Sequence, residues 1–173
     1  MMIFWLWFKS LFIPKKLADV IPIRPIETVS PVTLGSATPW MDWMKYHIGE
    51  HEVAGKKDNP FIMSLYKYAN YPTEHDEVPW CAVAVCAALE LNGYKDSNSA
   101  AAKSYDTYGT ACELKPGCIV ALRHPNGGRH VGFCFSVISD RWFVMLGGNQ
   151  QNSINKTMYN RSEIVATMWP VKA

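Results

Sequence analysis

The chain has 173 residues, 49% hydrophobic and 18% charged. That excludes wholesale disorder and is long enough for one domain with a buried core. Lys and Arg number 17 against 15 Asp and Glu, a net charge of +2, which gives no reason to expect a nucleic-acid partner and its concentrated basic face. The five cysteines are an odd number and no CxxC pair occurs. The count speaks against a disulfide scaffold and a zinc ribbon, so neither a metal nor a cofactor is expected.

The first 16 residues read MMIFWLWFKSLFIPKK. A secretory signal places its positive charge before the apolar run and small residues after it. Here the charges follow, so no cleavable signal peptide is recognised. The apolar stretch, residues 1–13, is too short to span a bilayer unaided. Three roles are open to it: docking on a partner such as a virion protein, lying in a membrane surface, or packing on its own domain. Residues 14–39 follow as a linker holding five of the eleven prolines. Prolines that dense forbid a regular helix and favour extended chain.

The folded domain is expected over residues 40–173. Thr38-Pro39 is a helix-start pair, followed by Trp40, Trp43, Met44 and His47 at helical spacing. Asn59-Pro60 repeats the device and opens a helix through about Tyr68. A third helix is predicted from about Pro79 to Asn92, and a fourth from Ser99 to Tyr108. The period then changes. Cys118–Leu122, His130–Ile138, Trp142–Leu146 and Ile164–Trp169 read as strands with turn signals between them. Helices first and a meander of strands afterwards imply an α+β fold, with N-terminal helices packed on a C-terminal antiparallel sheet.

One stretch has the features of a reaction centre, VPWCAVAVCAALELNG over residues 78–93. Cys81 falls in the first turn of an alanine-rich helix. Unpaired backbone N–H groups and the positive end of the helix dipole favour a thiolate there. The same N–H groups suit an oxyanion formed after attack on a carbonyl. Cys86 points away from Cys81 and reads as a small buried residue. Cys112, Cys118 and Cys134 have no helix start to activate them. Of the histidines, His47, His51, His75 and His124 read as surface or loop residues. His130 opens the strand HVGFCFSVI. Alternation puts Val131, Phe133, Phe135 and Val137 on one face and His130, Gly132, Cys134 and Ser136 on the other. The second face is small below the histidine, so the alanine-rich helix is expected to pack there, with Cys81 and His130 at the same end.

An imidazole acting as base needs a third group to fix its orientation. Asn149, in Leu146-Gly147-Gly148-Asn149-Gln150, follows His130 by one hairpin and is the first candidate; Gln150 is the fallback. Trp80, beside the nucleophile, is either a groove wall that binds substrate or core packing. Glu74, Asp76 and Glu77 precede the helix and read as surface charges, or as contacts to a substrate amine.

Taken in order, Asp76-Glu77-Val78-Pro79-Trp80-Cys81-Ala82, Pro116-Gly117 before a strand, Arg129-His130-Val131-Gly132-Phe133 and Leu146-Gly147-Gly148-Asn149-Gln150 resemble the CHAP-type cysteine amidohydrolases and peptidases. These are papain-like, NlpC-related enzymes that cut peptidoglycan, many of them from bacteriophages. Gly49-Glu50-His51-Glu52 and Asp58-Asn59-Pro60 resemble the leader of a phage-rich branch. The resemblance spans about residues 40–170. It implies Cys81 as nucleophile, His130 as base and Asn149 as orienter in an amidase or endopeptidase. Where that family usually carries an acidic residue after the Pro-Gly turn, this chain has Cys118. The expected partner is bacterial peptidoglycan and the expected setting is a virion or the host cell envelope. The alternatives are a non-catalytic structural or wall-binding virion protein that retains the fold, and a secreted antibacterial toxin.

Overall fold

The computed structural model describes residues 35–55, 57–125 and 127–173. The apolar segment 1–13 and the linker as far as residue 34 lie outside the described residues. Helix α1 spans Pro39–Tyr46, with proline in its first turn. Its Trp40, Met41, Trp43 and Met44 are buried. Trp40 Nε1 donates to the Gly117 carbonyl at 2.9 Å, which pins α1 on the Pro116-Gly117 turn. Gly117 has φ +92°, and a Cβ there would meet Thr38 Cγ2 at 2.6 Å. Only glycine meets both demands.

Helix α2, Pro60–Leu65, continues as a 3₁₀ turn over Tyr66–Ala69. Asn59 caps it by accepting from Phe61 N–H at 2.8 Å. Helix α3, Cys81–Glu90, is the centre of the molecule. Every residue from Cys81 to Leu89 is buried, and only Glu90 reaches solvent. A helix that is apolar all round belongs inside. The helix predicted over 99–108 is instead a 3₁₀ turn, Ala102–Asp106. Ser99 Oγ accepts from Ala101 N–H at 3.2 Å, a local bond of the kind that competes with helix formation.

Among the described residues six strands follow: β1 Thr110–Ala111, β2 Ile119–Arg123, β3 Arg129–Val137, β4 Trp142–Gln150, β5 Ser153–Asn160 and β6 Ile164–Trp169. They form one sheet in the order β1-β6-β2-β3-β4-β5, with every pair antiparallel. The α+β class is as the pattern implied. Strand β5 was not anticipated, and β4 runs on through the Gly-Gly-Asn-Gln stretch to Gln150.

The helical layer covers one sheet face. Val131 and Phe133 of β3, Ile119, Leu146 and Ile154 share a core with α1 and α3. Cys118, Val120, Leu122, Cys134, Phe143 and Met145 form a second core on the opposite face. The predicted packing of α3 on the small-residue side of β3 is therefore corrected. The helix takes the bulky face, where burying Val131 and Phe133 removes more apolar surface from water. Close approach comes from β4 instead: a Cβ on Gly148 would lie 2.7 Å from Ala84 Cβ and 2.6 Å from Trp80 Cζ3.

The segment between α1 and α2 is tied down from two sides. Gly49 N–H donates to the Ile154 carbonyl at 2.9 Å, and Glu52 N–H to the Asn152 carbonyl at 2.9 Å. From below, the Asp76 carboxylate accepts from Val53 N–H at 3.1 Å and Asn59 N–H at 2.7 Å. Asp76 is fully buried, a correction to its expected place among the surface charges; Glu74 and Glu77 are exposed. Replacing Asp76 with alanine strands two backbone donors. Asp76→Ala should cost about 3 kcal/mol, measured as a lowered midpoint in urea unfolding at neutral pH with an unchanged slope.

Candidate active site

Cys81 is the first residue of α3, and Trp80 before it is the cap. The sulfur lies within reach of three backbone N–H groups: that of Val131 on β3, that of Ala82 and its own. Val131 directly follows His130, so the nucleophile candidate and the strand that carries the base candidate meet here. Strand β3 pairs with β4 from Phe133 to Val137. The sulfur thus meets the end of β3 that lies beyond its paired register with β4.

Burial pushes the Cys81 thiol above its ordinary range, and the three N–H groups only oppose that rise. The expectation of a thiolate made by the helix start is therefore corrected: desolvation outweighs the donors. The His130 imidazole is pushed down to about 4 by burial; Gln150 opposes the shift by hydrogen bonding, and the charge of His124 adds to it. At neutral pH the Cys81 thiol and the His130 imidazole are both uncharged. His130 pairs with Leu122 of the second core, and what joins it to Cys81 is the backbone of Val131, its neighbour in β3.

Gln150, not Asn149, is the polar side chain against His130. His130 Nε2 and Gln150 Oε1 are both buried, and neither has a hydrogen-bond partner of standard geometry among the described residues. An N–H and a carbonyl oxygen are the complementary pair that the favouring of the protonated ring requires. The Gln150 amide is itself held: its Nε2 donates to the Asn155 carbonyl at 2.7 Å and to Asn155 Oδ1 at 3.0 Å. Tyr159 closes the other side, its ring centroid 6.0 Å from that of His130.

Asn149 points the other way. With the amide turned so that both ends are satisfied, its oxygen accepts from Trp80 N–H at 3.2 Å and its nitrogen donates to Glu52 Oε1 at 3.2 Å. The same carboxylate oxygen accepts from Trp80 Nε1 at 2.8 Å. Asn149 and Glu52 thus hold the residue that starts α3. Trp80 is fully buried, so it is core packing and not a groove wall.

A bulge in β4 explains the exchange of roles. Gly147 pairs with Asn155 and Gln150 with Ser153, with a register shift between them. Two residues of β4 there face one of β5, and Asn149 takes φ +55°. The extra residue reverses the alternation. Gln150 comes to the face of Gly147, where a Cβ would lie 3.6 Å from Gln150 Cδ. Asn149 is turned toward the helix. Glu52 had no sequence signal beyond the Gly49-Glu50-His51-Glu52 resemblance, which gives it no role, and Tyr159 lay in the strand that was not anticipated.

Tyr66 completes the surroundings. Its hydroxyl donates to the Val78 carbonyl, and burial raises it well above its ordinary range, with added repulsion from Glu52, Asp76 and Cys81. Cys86 is remote in function: it is buried, 3.2 Å from the Tyr105 hydroxyl. No group of three or more His, Cys, Asp or Glu among the described residues is arranged to hold a metal ion. No helix among them is long and apolar enough to cross a membrane. No protein family model matches the chain, and neither a curated protein nor a solved structure gives a match.

The His130 shift sets a pH dependence of stability. The unfolded imidazole gains its proton near pH 6.5, the folded one only near 4. Between those values the unfolded state binds more protons, so stability is full above pH 6.5 and falls as pH drops to 4. The loss should reach about 3 kcal/mol. His130→Phe should remove that share of the acid sensitivity, measured as the difference in urea stability between pH 7 and pH 4 in the two proteins.

Proposed function

We propose that the chain is a papain-like cysteine amidohydrolase that cuts an amide bond in bacterial peptidoglycan. The observation that carries this proposal is the meeting of Cys81, at the start of a buried helix, with the His130 end of β3, where Gln150 backs the imidazole. The ordered run of motifs that resembles the CHAP-type enzymes supplies the substrate class.

The chemistry follows from the charge state of the site. A neutral thiol and a neutral imidazole exchange a proton as the sulfur attacks. The Cys81 S–H proton passes to His130 while the new carbon–sulfur bond forms at the substrate carbonyl. The oxyanion is held by N–H groups of the first turn of α3, which lack acceptors within the helix. His130 then gives its proton to the leaving amine, and the carbon–nitrogen bond breaks. Water enters, loses a proton to His130 and attacks the acyl carbon; the carbon–sulfur bond breaks, and the departing sulfur takes that proton back from His130. Gln150 accepts from the imidazole throughout and is most useful while the ring is charged. It is the third member of the proposed triad, in place of Asn149.

Burial has a role here. A thiolate held permanently would need solvation that the buried Cys81 lacks. A thiol that ionises only as the carbonyl arrives has its charge passed on to the oxyanion.

Cys81→Ala should abolish release of soluble fragments from purified cell walls and leave the circular dichroism spectrum unchanged. Fragment release at the unaltered rate by that variant would overturn the proposal. Gln150→Ala should lower kcat on the same walls about 100-fold, whereas Asn149→Ala should act mainly through stability. Turbidity loss of wall suspensions, read beside urea unfolding, separates the two effects.

A further inference from the structure

Three of the five cysteines lie on the sheet face opposite α3 and take no part in the proposed reaction. Cys118 and Cys134 are fully buried members of the second core, and Cys112 packs against that core from its edge. All are free thiols, and Cys112 alone of the three is partly exposed. The pairing of β2 with β3 matches Ile119 to Phe133, and Cys134 N–H donates to the Cys118 carbonyl at 2.8 Å. Extending that register sets Cys118 across from Cys134, with the Cys134 carbonyl accepting from Gly117 N–H at 2.9 Å in place of Cys118 N–H, and both side chains lie in the second core on one face. Opposed residues of an antiparallel pair have Cα atoms about 4.5–5.5 Å apart, within the span of a disulfide. Cys112 arrives from the other side, its N–H donating to the Thr167 carbonyl at 3.1 Å on β6, the strand next to β2.

We propose that Cys112, Cys118 and Cys134 form an oxidisable thiol relay that accepts disulfide bonds from small disulfides in solution, such as glutathione disulfide. Cys112 is the outer thiol. Its sulfur attacks the small disulfide, forms a mixed disulfide and expels one thiol. Cys118 then attacks the Cys112 sulfur and expels the second thiol, which leaves a Cys112–Cys118 bond. Two protein thiols are oxidised, one external disulfide is reduced to two thiols, and the protons leave with them. Cys134 completes the relay by attacking Cys118 and returning Cys112 to the free thiol, with no net change in oxidation.

The contacts around Cys118 fit that order. Its thiol interacts with both Cys134 and Cys112. Hydrogen bonding from Cys118 holds Cys134 below its ordinary range, and the Arg161 charge acts in the same direction. Cys118 hydrogen-bonds with both others, whereas Cys134 and Cys112 interact by charge alone.

The test uses the full chain carrying Cys81→Ala, so that its outcome is independent of the proposed hydrolase. After incubation with glutathione disulfide and blocking of free thiols, digestion at Lys, Arg and Glu113 separates the three cysteines. The expected product is a chain lighter by two hydrogens, with the Cys118 peptide joined to that of Cys112 or Cys134. Cys118→Ser should abolish the internal bond and leave Cys112 as a stable mixed disulfide; Cys134→Ser should keep the Cys112–Cys118 bond. If Cys118→Ser does not fold, the peptide map of the parent chain decides alone. A parent chain with Cys112 carrying glutathione and no internal bond overturns the proposal. So does an internal bond that omits Cys118.

Discussion

The seating of the first turn of α3 on the end of β3 and on the β4 bulge is the contact on which the rest of the site depends. It brings Ala84 and Trp80 against Gly148 at distances where no further side chain fits. Small residues on the helix and glycine on the strand let two backbones approach. That approach puts the Cys81 sulfur at a strand N–H. Any side chain at position 148 would push the helix start outward and part the thiol from the strand that carries His130. The apolar character of α3 stabilises the contact, since each residue from Cys81 to Leu89 lies within the core.

Around that contact the polar groups divide into two sets. Asn149, Glu52 and the Trp80 indole and amide face the helix start. Gln150, Asn155 and Tyr159 gather at the imidazole. One bulge separates them by sending adjacent residues of β4 to opposite faces. A regular strand in that register would place Asn149 on the Gly147 face. The side chain backing the imidazole would then be shorter by one methylene. The bulge thus supplies reach to one set and an anchor for the helix to the other.

Much of this was legible in the residues. Proline after Thr38 and Asn59, an alanine-rich run opening at Cys81, and a strand opening at His130 each rest on a local rule of backbone or burial. What was not legible depends on partners distant in the chain. Strand β5, Ser-Ile-Asn-Lys-Thr-Met-Tyr-Asn, lies at an edge of the sheet, where one face stays wet and the apolar alternation is diluted by Lys156 and the exposed Met158. Gly-Gly-Asn-Gln satisfies turn chemistry as well as it satisfies a bulge, so nothing local favoured one over the other. The face of β3 chosen by α3 could not be read from β3 alone, because the space for the helix is made by Gly148 on the neighbouring strand. Asp76 and Glu52 fall within motifs that resemble the family, but no local rule of backbone or burial gives their roles: a single carboxylate in a loop acquires its role only when the groups it serves have folded around it.

The electrostatics of the centre then follow from the same burial that builds it. The helix start contributes donors, as its position implied, but those donors are buried with the Cys81 sulfur, and the loss of solvation dominates. A charge on sulfur and a charge on the imidazole are each disfavoured alone, and they are disfavoured less together, since opposite charges at short range offset part of the desolvation. Transfer of one proton from thiol to imidazole is therefore easier than ionisation of either group by solvent. A carbonyl positioned over the first turn of α3 would favour it further, by drawing the negative charge from sulfur onto an oxygen that backbone N–H groups can hold. In the proposed reaction the site would be inert when empty for the same reason that it would be suited to react when filled: its donors are fixed in place by the core, and the charge they would serve exists only during that reaction.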